Sequence, residues 1–170
     1  MQIIIQSIDE SKMLELEKLA VSTFKETFGH LYTSDNLEHH LEKSCSAEFF
    51  LSDLAKGQHI DIAVIDGTLG AYIKYGCVGL PIDHNKDDAE IHRLYVTQIF
   101  QAQGIGKMLM NHALKQDHIQ KAKRLFLGVW EHNLKAQNFY RGYGFEPVGE
   151  YIYYVGTHAD REIIMQRLET

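Results

Sequence analysis

The spacing of apolar positions changes along this chain, and each change marks an element. Ile3-Ile4-Ile5 leads a short run to Ile8 that reads as a strand. Asp9 is a helix-capping residue type, and after it Met13, Leu14, Leu16, Leu19 and Ala20 supply the apolar side of a helix. Phe24, Phe28 and Tyr32 follow in steps of four, the spacing of one helix face. Ser34 is placed to cap another helix, with Leu37 and Leu41 on one side. From His59 to Tyr75 the period drops to two. Ile60, Ile62 and Val64 alternate, Asp66-Gly67 is a two-residue turn, and Leu69, Ala71 and Ile73 resume the alternation.

Residues 79–88 are polar, hold Pro81 and read as a loop. An apolar strand runs from Ile91 to Val96, and the stretch Lys107 to Lys121 has helical spacing through Met108, Leu109, His112, Ala113 and Gln116. Arg124 to Trp130 is a strand apolar enough for burial on both faces. Asn133 to Tyr143 is a short helix stopped by Gly144, and Phe145–Val155 and Glu162–Leu168 are the last strands. No repeat or linker interrupts the series, so the expectation is one α/β domain over residues 1–170.

Composition narrows the function. A length of 170 residues gives one domain a real core. The net charge of -6 leaves no basic surplus to displace counterions, which excludes general nucleic-acid binding and suits a cationic substrate. Cys45 and Cys77 form no C-x-x-C, which argues against a disulfide scaffold or zinc knuckle and fits a reducing compartment. His39 and His40 lie beside Glu38 and Glu42, but adjacent residues point to different helix faces, so a solvated helix and no metal is expected. The first six residues carry no basic group, and no apolar stretch approaches membrane-spanning length. A cytoplasmic protein without membrane partners is the expectation.

The chemistry centres on Phe100-Gln101-Ala102-Gln103-Gly104-Ile105-Gly106-Lys107, between a strand and a helix. The first N–H groups of a helix have no intrahelical partner, and the helix dipole favours an anion there. Gly104 and Gly106 let the backbone approach a phosphate closely. The dinucleotide fingerprint fails, because Leu109 stands where it needs Gly, and the P-loop fails at Gln101 and Met108. What remains is Q-x-x-G-x-G-K after a strand.

Two longer stretches extend this signal. Ala89-Glu90-Ile91-His92-Arg93-Leu94-Tyr95-Val96 followed by Gln101-x-x-Gly104-x-Gly106 resembles motif A of the GNAT acyltransferase superfamily. Leu127-Gly128-Val129-Trp130-Glu131-x-Asn133-x-x-Ala136-x-x-Phe139-Tyr140-x-x-x-Gly144-Phe145 resembles its motif B. The two span roughly the C-terminal half, and the closing stretch from Leu127 to Arg167 looks most like the bacterial spermine/spermidine N-acetyltransferase branch. The chain departs from the common pattern at Gln98 (often Pro), Gln101 (often Arg) and Ala102 (often Gly). Loss of the Arg removes one charged phosphate contact and leaves most of the cradling to backbone N–H groups.

The resemblance implies a GNAT-like fold: a mixed, mostly antiparallel central sheet, helices on both faces, and splayed central strands. It implies acetyl-CoA as cosubstrate and no metal. Gln101, Ala102, Gln103, Gly104, Ile105, Gly106 and Lys107 would hold the pyrophosphate. Leu94, Tyr95, Val96 and Asn133 would hold the amide-rich pantetheine arm. Glu26 and Tyr32 would line the acceptor pocket.

The implied reaction is attack of an amine on a thioester. A primary amine has a pKa near ~10.4, so neutralising it at pH 7 costs about 4.6 kcal/mol, which a base would relieve. Glu90 matches the base of histone-acetyltransferase-type members, and His92 lies two residues on. Tyr140 matches the family's general acid; donation from an ordinary tyrosine to the departing thiolate is uphill by roughly 2 kcal/mol. A backbone N–H near Leu94–Val96 would face the oxyanion. Three readings of function stay open: acetylation of a small polyamine, acetylation of a protein N-terminus, lysine or amino sugar, and a non-catalytic CoA-binding module that reports acetyl-CoA levels. A homodimer is compatible with each.

Overall fold

In the computed structural model, which describes residues 1–168, seven strands form one sheet. They are Ile3–Ser7 (β1), His59–Ile65 (β2), Thr68–Gly76 (β3), Ala89–Val96 (β4), Arg124–Trp130 (β5), Glu146–Val155 (β6) and His158–Leu168 (β7). Their order across the sheet is β1-β2-β3-β4-β5-β7-β6. Every neighbouring pair is antiparallel except β4 with β5. The expected turn joins β2 to β3: Asp66 and Gly67 have φ of 47° and 83°, so both adopt the left-handed backbone that a tight two-residue hairpin needs.

Among the described residues six α-helices accompany the sheet: Met13–Phe28 (α1), Ser34–Ser44 (α2), Ala47–Ala55 (α3), Ile105–Ala113 (α4), Asp117–Gln120 (α5) and Leu134–Arg141 (α6). Each face of the sheet has its own core. Ile105, Leu109, Met110 and Ala113 of α4 pack with Ile65, Ile73, Ile91, Leu125 and Leu127. On the other face Leu16, Leu19, Ala20 and Phe24 of α1, Leu41 of α2 and Phe50 of α3 pack on Ile60, Ile62 and Tyr72. Phe50 is fully buried, and its truncation to Ala would cost on the order of 3–5 kcal/mol.

Several sequence expectations are corrected. Asp9 caps a 3-10 turn, Glu10–Lys12, ahead of α1 by accepting from Ser11 N at 2.9 Å. Tyr32 lies beyond the end of α1 in extended backbone, yet its ring still stacks on Phe24 at 6.2 Å. Thr33, not Ser34, caps α2, because its hydroxyl accepts from Asn36 N. His40 is not solvated: it is buried between Phe24 and Tyr153, and burial holds its pKa down to about 4. The helix from 107 to 121 is two helices, since the hydrogen bonds of Lys115 and Gln116 tighten to His112 O and Ala113 O and the chain restarts from Gln116 in extended backbone. The last strand begins at His158, and α3 was not anticipated.

The feature that matters most for function is the β4–β5 pair. Only Ala89↔Leu125 and Glu90↔Phe126 are in register. Beyond them the strands part, although β4 continues to Val96 and β5 to Trp130. The splay implied by the family resemblance is therefore present.

Candidate active site

The parting of β4 and β5 opens a cavity of about 1040 Å³ that runs through the sheet. Its walls include Leu94, Tyr95 and Val96 of β4, Gly128 to Trp130 of β5, the turn from Gln101 to Lys107, and Asn133 and Tyr140. On its other side β4 is paired with β3, where Leu94 faces Ile73 and Val96 faces Ala71. The β5-facing edge of Ile91–Val96 has no strand partner among the described residues. Backbone amides there are free for an extended, amide-bearing ligand, because strand edges pair by backbone hydrogen bonds.

At one end sits the turn. Gly104 is the N-cap of α4, with φ of 83° and no side-chain cap, so the N–H groups that open the helix face the cavity unpaired. Ala102 also has positive φ, 60°, which is costly for a residue with a Cβ. Ile105 sends its side chain into the core and offers only backbone to the site. Gln101 donates to Val96 O at 3.1 Å and accepts from Lys135 Nζ at 3.3 Å. Lys135 thus brings a cation to the turn where Gln101 replaces the family's Arg, and sequence reading missed it. Asn133 caps α6 through Ala136 N at 3.1 Å and also lines the cavity, so its amide group remains available to a ligand.

The opposite wall is acidic and aromatic. Glu90 is buried, and its Oε2 accepts from Gly79 N at 2.7 Å and Leu80 N at 3.1 Å. Its Oε1 faces His92 Nδ1 at 3.1 Å, while His92 Nε2 lies 3.0 Å from Cys77 O. His92 is the extra residue of a β-bulge: Arg93 pairs with Lys74 and Ile91 with Tyr75. Asp160 accepts from Tyr32 Oη at 2.6 Å, and burial together with this bond keeps the Tyr32 phenol protonated well above its usual range. Glu162 accepts from Tyr151 Oη at 2.7 Å. Burial raises its pKa, and the nearby charges of Asp160 and Glu90 push the same way.

Tyr140 reaches the cavity from α6, half-buried, and burial lifts its pKa to about 12. Tyr143 does not line the cavity; its hydroxyl bonds Asn111 Oδ1 at 3.1 Å and ties α6 to α4. The structure does not bring Glu26 to the site. It is exposed and accepts from Gln98 N at 3.2 Å, because two helical steps from Phe24 turn it to the far side of α1. Sequence reading missed Asp160, Glu162 and Tyr151. It also missed Lys74, which lines the cavity, is paired with Asp53, and has its pKa lowered by burial. The signal that could have found the first three is the alternation Tyr151, Tyr153 and Asp160, Glu162 on the paired strands β6 and β7, which continue the sheet beyond β5.

Comparison with known proteins agrees with this geometry. The profile of the acetyltransferase (GNAT) family matches residues 13–145. An uncharacterized N-acetyltransferase in the pepI 3′ region of Lactobacillus delbrueckii subsp. lactis is 26% identical over 96% of this chain and 95% of its own length. The spermine/spermidine N(1)-acetyltransferase of Bacillus subtilis is 26% identical over 50% of this chain, a match spanning 57% of that protein. Among solved structures, the PaiA N-acetyltransferase of Thermoplasma acidophilum in complex with coenzyme A superposes with a TM-score of 0.81 at 22% identity, covering 99% of each chain. The ribosomal-protein-S18-alanine N-acetyltransferase of Escherichia coli gives 0.70 at 19% identity, covering 99% of this chain and 95% of that one. At these identities the structural likeness speaks for the fold.

Proposed function

The chain belongs to the acetyltransferase (GNAT) family, and on that premise we propose that it transfers an acetyl group from acetyl-CoA to a primary amine, with a polyamine such as spermidine or spermine as the acceptor. The observation that carries the acceptor class is the wall beside the slot. Three carboxylates, Glu90, Asp160 and Glu162, line the cavity among Tyr32, Tyr151, Tyr153 and Trp130. Carboxylates and aromatic faces are the groups that hold ammonium ions. The family match and the relative named for spermine and spermidine support the same reading.

The residues fit acetyl-CoA, which supplies an activated thioester carbonyl. The uncapped start of α4, with Lys107 and Lys135, takes the pyrophosphate. The open edge at Leu94–Val96 and the amide of Asn133 hold the arm. Backbone N–H groups of that edge face the carbonyl oxygen as it gathers charge. Tyr140 stays protonated across the working pH and donates to the departing sulfur. With a pKa of about 12 against a thiol near ~8.5, complete transfer is uphill by roughly 5 kcal/mol, so the proton moves as the bond breaks and not before. Glu90 is the base that the family resemblance points to. Its Oε2 accepts two backbone hydrogen bonds, and in this reading it fixes Gly79 and Leu80 as part of the acceptor wall.

The test is release of free thiol from acetyl-CoA with a panel of spermidine, spermine, monoamines, an amino sugar and short peptides. Turnover fastest with the polyamines is expected. Fastest turnover with peptides or the amino sugar would move the acceptor class. Acetyl-CoA binding without thiol release for any amine would point to a CoA-binding module.

A further inference from the structure

We propose that Glu162 is the carboxylate that takes the proton of the attacking ammonium, an assignment that rests on the acetyltransferase reading above. Glu162 stands opposite Trp130 on β5 and Tyr151 on β6. Gly128, two residues before Trp130, shares its face of β5. A Cβ at Gly128 would lie 2.9 Å from Glu162 Oε2 and 2.8 Å from Tyr151 Oη. The carboxylate therefore occupies the space above a residue with no side chain. Gly128 lies just past Phe126, the last residue of β5 in register with β4, so Glu162 overhangs the point where the slot opens. Tyr140 enters the same slot from the α6 side, close enough for the Glu162 charge to add to its raised pKa. A thioester whose sulfur meets Tyr140 presents its carbonyl carbon to the Glu162 side.

The hydrogen bonding separates the two glutamates. Glu90 Oε2 is held by two backbone N–H groups of the 79–80 loop, and its Oε1 faces the His92 ring at 3.1 Å. Glu162 accepts one hydrogen bond among the described residues, from Tyr151 to Oε2, which leaves Oε1 for the amine. The ionisable groups around Glu162 are Glu90 from β4, Tyr151 and Tyr153 from β6, Tyr140 from α6, Tyr32 after α1, and Asp160 on its own strand. Burial and the two carboxylates raise its proton affinity, which narrows the gap to the amine it must deprotonate.

The step balances without a further reagent. The ammonium gives one proton to Glu162 Oε1, leaving a neutral amine and a carboxylic acid. The nitrogen lone pair forms the C–N bond to the thioester carbon, the C–S bond breaks, and sulfur keeps its electron pair and takes the Tyr140 proton. The nitrogen's second proton returns to Tyr140, and Glu162 releases its proton to solvent.

The experiment compares wild type, Glu162→Gln, Glu162→Asp and Glu90→Gln in thiol release with acetyl-CoA and spermidine, or the best amine of the panel, from about pH 6 to about pH 10. Calorimetry of acetyl-CoA binding and a thermal melt accompany each. Glu162→Gln should lower kcat by ~10²-fold or more near pH 7, with the deficit shrinking as the amine becomes neutral at high pH. Acetyl-CoA affinity should stay within about twofold, Glu162→Asp should recover part of the rate, and Glu90→Gln should show no such pH-dependent rescue. A folded Glu162→Gln with kcat near wild type overturns the assignment, as does a loss that is uniform across pH. A wild type that binds acetyl-CoA yet acetylates no amine removes the acetyltransferase reading itself, and this assignment with it.

Discussion

Tyr151 and Glu162 stand directly opposite each other on β6 and β7, and the tyrosine hydroxyl donates to Glu162 Oε2 at 2.7 Å. One hydrogen bond does not offset the burial of the carboxylate, whose pKa stays above the ordinary value. The fold thus favours the protonated form of Glu162, and this has a cost at neutral pH.

That cost gives the first prediction. A carboxyl with a raised folded pKa contributes most to stability at low pH. The contribution falls as pH rises past the unfolded value, near ~4.3 for Glu, and stays reduced above the folded value. Glu162→Gln imitates the neutral form and can still accept from Tyr151. Its melting temperature should exceed wild type at about pH 8, with the two converging near about pH 4. A lower melting temperature at the higher pH would mean that the ionised carboxylate holds the β6–β7 pair together.

Tyr140→Phe keeps the ring, which packs against Phe139 at 5.3 Å and Phe145 at 6.0 Å, and removes the hydroxyl. Steady-state kinetics should show kcat reduced by about 10²–10⁴-fold with the Michaelis constant for acetyl-CoA little changed. Because the phenol titrates at about 12, wild type should show no loss of rate from Tyr140 ionisation at moderately alkaline pH. Tyr143→Phe should keep kcat, since its hydroxyl serves α4 at Asn111. Reversal of the two mutants' effects would move the general acid to Tyr143.

The turn yields paired expectations. Gly104→Val forces a β-branched residue to φ of 83°, and calorimetry should show acetyl-CoA affinity down by more than tenfold, above ~1.4 kcal/mol. Unchanged affinity would defeat the pyrophosphate assignment. Ala102→Gly removes the Cβ from a residue at φ of 60°, and the relief exceeds the entropy that glycine loses on folding. A gain of about 0.5–1 kcal/mol in denaturant melts is expected, and a loss would mean that Ala102 is not strained.

Gly128→Ala would place a methyl group against the Glu162 carboxylate and the Tyr151 hydroxyl, with Leu80 Cδ2 3.3 Å away on a third side. The acceptor wall must shift while the cofactor turn stays in place. The amine's kcat/KM should fall by about tenfold or more with acetyl-CoA affinity kept. Equal loss of both would show that the slot, not the wall, had closed.

The half of the chain with two motifs was the legible half. Gly104, Asn133 and Tyr140, which the family resemblance assigned to the site, all line the cavity, and for Gly104 the strand, turn and helix start that place it are local chemistry. The helix from Ala47 to Ala55 went unread, since its A-E-F-F-L run is short and lacks a clear helical period, although Ser46, which caps it by accepting from Phe49 N, was a start signal in the sequence. The break after Ala113 has no Gly or Pro to announce it. Asp160 and Glu162 were harder still. Polar residues alternating along a strand read as a solvent face, but here that face lines a cavity beneath α1. Tyr32 and Asp160 meet across 128 positions of sequence, and no local pattern encodes that.

The gap between β4 and β5 also bears on how the chain avoids its own kind. An unpaired strand edge is ordinarily an invitation to aggregate, because any other extended chain can add to it. This protein keeps such an edge, Ile91–Val96, in the middle of its sheet, screened by Phe28 and Trp130 on one side and by Ile105 and Tyr140 on the other. A neighbouring protein's strand, with side chains on both faces, would have to fit between those side chains. A slender chain of amides and methylenes, such as the arm proposed for this slot, would pass, so the same unpaired edge that would make a sticky surface outside would serve inside as a gauge of ligand width.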